Sequence, residues 1–175
     1  MSTLKVDTIA TTSGVTNNRV LQIQSTQVST TTSQTITTNV LAEITNMSVN
    51  ITPLFSNSKI LLQAQWMGEF SSSTIAYNSI FSFKRNDTYL GSPDDDNRYH
   101  GIMPPAINLN SSASSTTESS FLMYMDTPST TSAITYKLSI IGTGGTVYNN
   151  RTVGDLNSGG YERGISMITA TEIAQ

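Results

Sequence analysis

Cysteine is absent from the 175 residues, which excludes disulfides, thiol nucleophiles and zinc–thiolate sites. Histidine occurs once, at His100, so no site can use two imidazoles. A serine nucleophile would have to borrow that one base, and no Gly-x-Ser-x-Gly elbow accompanies it. Charge is scarce too: 12% of residues are Asp, Glu, Lys or Arg, about half the usual share. A net charge of -3, a pI near 4.9 and the lack of any basic stripe give no electrostatic case for nucleic acid. No run approaches the ~18 apolar residues of a membrane span, so no membrane insertion is expected. Residues 1–7 lack the basic and apolar regions of a secretory signal. Helical periodicity is missing as well, since no 3.6-residue apolar repeat persists for three turns.

Ser and Thr are abundant, nearly a third of the chain, and apolar residues alternate with them at a period of two. Residues 164–175 form the run around which the rest is organised. Ile165, Met167 and Ile173 share one face with Thr169 and Thr171, while Ser166, Ile168, Ala170 and Glu172 share the other. Both faces are partly apolar, which predicts a central strand buried on both sides. The clearest alternation runs from Lys59 to Glu69, with Ile60, Leu62, Ala64 and Trp66 opposite Leu61, Gln63, Gln65 and Met67. Trp66, in register with three aliphatic residues, is expected to anchor the core. Leu21 and Ile23 alternate with Gln22 and Gln24, and Met47, Val49 and Ile51 alternate up to the stop at Pro53. Phe81 and Phe83 lead into a turn at Asn86-Asp87. Phe121, Met123 and Met125 alternate with Leu122 and Tyr124, and Ile134, Tyr136, Leu138 and Ile140 run unbroken to Gly142. Gly144-Gly145 reads as a hairpin turn rather than a phosphate cradle, because a strand follows it and not a helix.

Eight or more short strands, long loops and a central last strand predict an all-β fold, an antiparallel jelly-roll-like β-sandwich over residues 20–175. Residues 1–19 read as a short extended N-terminal arm that docks the domain to a partner. Residues 91–120, interrupted by Pro93, Pro104 and Pro105, form a connection long enough to suggest function.

Candidate chemistry is sparse. Asp94, Asp95 and Asp96 could offer oxygen ligands to a hard cation, but their spacing is not that of an EF-hand loop. The bland reading is a solvated loop, and no metal or cofactor is expected. Glu69, Asp87, Glu118, Asp126 and Asp155 leave paired-carboxylate hydrolysis formally open, with nothing in the pattern favouring it. No enzymatic activity is expected. Arg98, Tyr99 and His100, then Tyr148, Asn149, Asn150 and Arg151, and then Tyr161, place aromatic, amide and cationic groups at strand ends. Such groups suit a ligand or receptor, and equally suit packing and turns.

Four stretches resemble small virion proteins and fibre-tip domains of marine tailed phages, especially phages of cyanobacteria. They are residues 2–9 (Ser-Thr-Leu-Lys-Val-Asp-Thr-Ile), the hairpin over 83–91, the turn and strand over 126–137, and the closing strand over 165–174. Together they cover between a fifth and a quarter of the chain, in the same order. The resemblance implies a non-enzymatic virion component with a homotrimeric β-sandwich head of the tumour-necrosis-factor-like and C1q-like kind. It would sit on a fibre, knob or decoration of the particle, attached to other virion proteins through its arm, and contribute to host attachment. Its trimer core would be built from Ile165, Met167, Ile168 and Ile173 of the last strand. Assembly in the host cytoplasm with release by lysis would reconcile a surface-type composition with the lack of an export signal. The alternative is a stand-alone module that binds a host surface glycan or protein through the 91–120 and 149–163 loops.

Overall fold

The period-two alternation becomes ten strands and one five-residue helix among the described residues, which in this computed structural model are 19–92, 97–106 and 116–175. The strands are β1 (Val20–Val28), β2 (Thr32–Ile36), β3 (Ala42–Ile51), β4 (Lys59–Phe70), β5 (Ser79–Arg85), β6 (Thr88–Leu90), β7 (Glu118–Asp126), β8 (Ile134–Gly142), β9 (Gly145–Asn149) and β10 (Ser166–Ile173). Helix α1 (Ser73–Tyr77) links β4 to β5. The expected arm and Asp94, Asp95 and Asp96 lie outside the described residues, apart from Arg19.

All strand pairs are antiparallel and form two sheets. In the first, Gln65 of β4 pairs with Met167 of β10 on one side and with Phe121 of β7 on the other. Gly68 pairs with Glu118 of β7 and with Asn149 of β9, so β9 continues the line of β10. β1 flanks β10 and β2 flanks β9. The sheet is therefore four lanes wide: β1 with β2, β10 with β9, then β4, then β7. The second sheet has the order β3-β8-β5-β6.

The inward rows of the two sheets interlock, as a two-layer β-sandwich requires. Ile60, Leu62, Ala64 and Trp66 of β4 are buried, as are Ile134, Tyr136, Leu138 and Ile140 of β8, Phe81 and Phe83 of β5, and Ile168 and Ala170 of β10. Each aliphatic or aromatic side chain so buried contributes roughly 1.5–3 kcal/mol. Trp66 stacks obliquely on Phe70 and on Phe81 of the opposite sheet, at ring separations of 5.2 and 5.1 Å. Its indole N–H donates to Asn149 Oδ1 at 2.7 Å, so the expected anchor is fully satisfied.

Gly144-Gly145 does not close a hairpin. β8 pairs only within the second sheet and β9 only within the first, so the glycines turn a corner from one sheet to the other. At Gly142 a Cβ would strike Ser79 and the Asn78 carbonyl, and Val147 is drawn into the first sheet's inward row. Burial of Val147 thus overrides the local hairpin signal.

β10 is central, as expected, between β1 and β4. Ser166, Ile168, Ala170 and Glu172 point inward and are buried. Its outward face is not closed off, because Met167 is 43% exposed and the preceding Ile165 48%. Glu172 is the unexpected member of the inward row. Its carboxylate accepts from Gln22 Nε2 at 2.6 Å, from the Leu54 N–H at 2.8 Å and from the Phe55 N–H at 3.3 Å. Burial alone would raise its pKa, but these donors, with Ser58, outweigh it and hold the carboxyl below its ordinary value.

A carboxyl with a lowered folded-state pKa adds stability above its ordinary value near 4.5 and loses it as pH falls through the folded value. Glu172→Gln is therefore expected to unfold about 1–3 kcal/mol more easily at pH 7. The gap to wild type should shrink markedly by pH 3. Urea titrations of both proteins at the two pH values check this, and an equal gap at both would refute it.

Candidate interaction surface

The outward face of the first sheet carries a row-by-row apolar patch. Backbone register sets Met125 beside Leu61, Met123 beside Gln63, and Phe121 beside Gln65, with Met167 on the far side of Gln65. Phe121 is 50% exposed, Met123 57% and Met125 44%. Ile23 of β1 faces the same way, beside Thr171. With Ile165 and Met167, these half-exposed side chains open on the order of 400 Å² of apolar surface, within the ~300–600 Å² span of the largest patches on soluble monomers, which are often functional. Its polar members are Gln63, Gln65, Thr169 and Thr171, so no formal charge interrupts it.

The loop of residues 150–164 overlies the upper end of this face. Glu69, outward on β4, accepts a hydrogen bond from the Val153 N–H. Burial raises its pKa, the Val153 bond lowers it, and the charge of Glu162 raises it further. Asp155 clasps Arg163 through two bonds of 2.8 and 3.0 Å and approaches Arg151 at 3.5 Å. The Arg163 bond holds the Asp155 carboxyl below its ordinary range. Beyond this clasp, Leu156, Asn157, Ser158, Gly159, Tyr161 and Arg163 line an open cleft of about 570 Å³.

The expected ligand residues divide sharply by burial. Tyr148 points outward with the Arg151 guanidinium 4.9 Å over its ring, and Tyr161 lines the cleft. Asn149 and Asn150 are buried and committed to the fold, which corrects their expected availability to a ligand. Asn149 bridges Trp66 and Thr32. Asn150 donates to the Val28 and Thr30 carbonyls at 2.8 and 3.1 Å and accepts from Ser166 Oγ at 2.6 Å, in a left-handed backbone conformation (φ 58°). Arg98, Tyr99 and His100 belong instead to the connection beside the second sheet's outer strand, where the His100 carbonyl accepts from Tyr89. The two candidate groups thus stand on different sheets.

The expected trimer-core residues also divide. Ile165 and Met167 belong to the outward patch, and Ile173 is half-buried at the end of β10. Ile168 is spent inside the protomer's own core, opposite Ala64, because the inward parity of β10 falls on even numbers. The contribution of Phe121, Met123 and Met125 was not assigned from sequence. The available signal was a run with apolar residues on both faces, one more row than a single core can use.

Among the described residues no three His, Asp or Glu side chains converge as a metal site, and no helix is long and apolar enough to cross a membrane. Several carboxylates are engaged structurally. Asp126 holds Arg85 at 2.9 Å and the Tyr136 hydroxyl at 2.6 Å, and Glu43 bridges Lys84 and Lys137 at 2.7 and 2.8 Å.

Asn150→Ala is expected to lower unfolding free energy by about 2 kcal/mol, because it strands the Val28 carbonyl and the Ser166 O–H in the interior. Tyr161→Ala should shift it by less than about 1 kcal/mol. Thermal melts of the two variants test the division, and equal losses would contradict it.

Neither a known protein-family model nor a curated protein matches the chain, so function rests on these surfaces and on the winding of the strands.

Proposed function

We propose that this chain is a non-enzymatic structural protein of a phage virion: a jelly-roll head that assembles as a homotrimer on a fibre, knob or decoration. The observation that carries the reading is the apolar outward face of the first sheet, centred on Phe121, Met123 and Met125. A soluble chain of net charge -3 gains nothing by exposing such a face unless it is covered in the working state.

Strand pairing supports the jelly-roll part. With β2 and β9 set aside, eight strands remain, and β1 pairs with β10, β3 with β8, β4 with β7, and β5 with β6. First with last, second with seventh, third with sixth and fourth with fifth is the pairing of one long hairpin ribbon rolled up on itself. That winding is shared by the tumour-necrosis-factor-like and C1q-like heads that the sequence resemblance implies. Residues 1–19 would serve as the arm that docks to other virion proteins.

A second reading, a glycan- or receptor-binding module, is favoured by the cleft beside Tyr161 and Arg163 together with the Tyr148–Arg151 pair. An aromatic ring flanked by amide and cationic groups suits a sugar. The two readings are compatible, since a fibre tip can also attach to a host.

Light scattering of the purified full-length chain tests the first reading. A mass of three chains is expected, and a monomer at high micromolar concentration would overturn the assembly. Under the second reading Tyr161→Ala weakens binding to host cells without changing that mass.

A further inference from the structure

Every open sheet invites another strand at its edges, and natural sheets blunt those edges with shortness, bulges, charges or proline. Three of the four edge lines here are blunted. β6 is three residues long. β3 breaks register between Glu43 and Ser48, with Asn46 in a left-handed conformation (φ 65°) and Glu43 charged. The line of β1 and β2 breaks register between Val20 and Gln22, is interrupted at residues 29–31, and has Gln, Ser or Thr at nine of its fourteen strand positions.

β7 carries its only charges, Glu118 and Asp126, at its two ends. It pairs with β4 without a register shift from Asp126 to Glu118, and residues 119–125 include neither a charge nor a proline. Among the described residues β4 is its sole strand partner. Its outward row is Phe121, Met123 and Met125, with polar groups absent from all three side chains. A sequence that blunts three edges along their length and leaves residues 119–125 of this one plain treats that edge as covered.

The geometry points to β7 as the seam between copies: its edge and outward row seat against the outward row of β10 and β4 of a second copy, around Met167, Thr169 and Leu61. This inference rests on the assembly reading above and assigns its contact surface. A second copy is the occupant that the charge pattern favours. The molecule is acidic overall, and no formal charge lies between Lys59 and Glu69 on the outward row of β4 or on Phe121, Met123 and Met125 of β7, so copies meet there without like-charge repulsion. Each copy brings roughly half of the outward patch as the apolar centre of a standard face of ~800 Å² per partner, with Gln63, Gln65, Thr169 and Thr171 beside the Met167 half. Because the two halves are different surfaces, the contact is heterologous, the kind that forms a ring where the rotation between copies closes. Methionine suits it, since its flexible thioether adapts to an irregular partner surface.

The test compares full-length wild type with Met123→Lys and Phe121→Lys, and with Tyr77→Lys on α1, exposed and outside the patch, as control, by light scattering at one concentration. Expected are a multi-chain mass for wild type and Tyr77→Lys, and the mass of one chain for the two β7 variants with unchanged Trp66 fluorescence. Multi-chain masses for both β7 variants would overturn the seam while leaving the assembly intact. A wild-type monomer would overturn the assembly reading and the seam with it. Should the lysine variants not fold, hydrogen exchange of wild type decides. Slow exchange of the β7 amides that point away from β4, becoming fast on dilution to single chains, supports the seam, and fast exchange at both concentrations overturns it.

Discussion

The structure depends on keeping one strand dry on its inward side and hydrogen-bonded along both edges. β4 lends Ile60, Leu62, Ala64 and Trp66 to the centre of the core and carries β10 and β9 on one side and β7 on the other. The largest of these side chains brings a polar atom with it. Leaving the Trp66 N–H unpaired in the interior would cost about 1–3 kcal/mol, and Asn149 is the group that prevents this. To deliver Asn149, the chain leaves the second sheet after Gly142 and enters the first as β9. Asn150 follows at a positive φ and ties the same corner to the Val28 and Thr30 carbonyls. Trp66, Asn149 and Thr32 thus join three strands of the first sheet, β4, β9 and β2.

The opposite end of the sandwich is held by charge instead. Arg85 and Tyr136 come from the second sheet and Asp126 from the first, and their contacts of 2.9 and 2.6 Å clasp the layers together. Burial raises the Tyr136 hydroxyl pKa, and the neighbouring Asp126 carboxylate raises it further, so the phenol stays protonated and keeps donating. Glu172 does comparable work for the 52–58 loop by capping the Leu54 and Phe55 N–H groups. These carboxylates are few, as the low charge content requires, and each organises several donors.

What was legible in the sequence was whatever a period of two encodes. The strands around Trp66, Tyr136, Phe81 and the C-terminal run follow directly from alternation, and the Asn86-Asp87 turn joins β5 to β6. Alternation fixes which residues share a face but not which face looks inward. In β1 it is Gln22, Gln24, Thr26 and Val28 that take the inward parity, opposite Glu172, Ala170, Ile168 and Ser166, while Ile23 faces out. The same ambiguity hid Ile168 in the core. The corner at Gly144-Gly145 was illegible for another reason, since the burial of Val147 that decides it is a long-range property. Asn149 and Asn150 looked like surface amides because no local signal reveals that an indole and two carbonyls await them.

The apolar face and the low charge content are one design feature rather than two. A sandwich needs one inward row per strand, and any further apolar row must be hidden by something outside the fold. β7 has both rows, with Leu122 buried inward and Met123 exposed outward on consecutive positions. Charged residues along that outward row would have made a safe monomer at almost no cost in core packing, because surface substitutions rarely change stability by more than about 0.5 kcal/mol. Their absence from residues 119–125, beside three other edges where protection is present, is therefore informative in a way that an isolated exposed methionine would not be. On the proposed assembly, the pattern is that of a sandwich whose core is complete within one chain and whose one plain edge and apolar side meet a second copy.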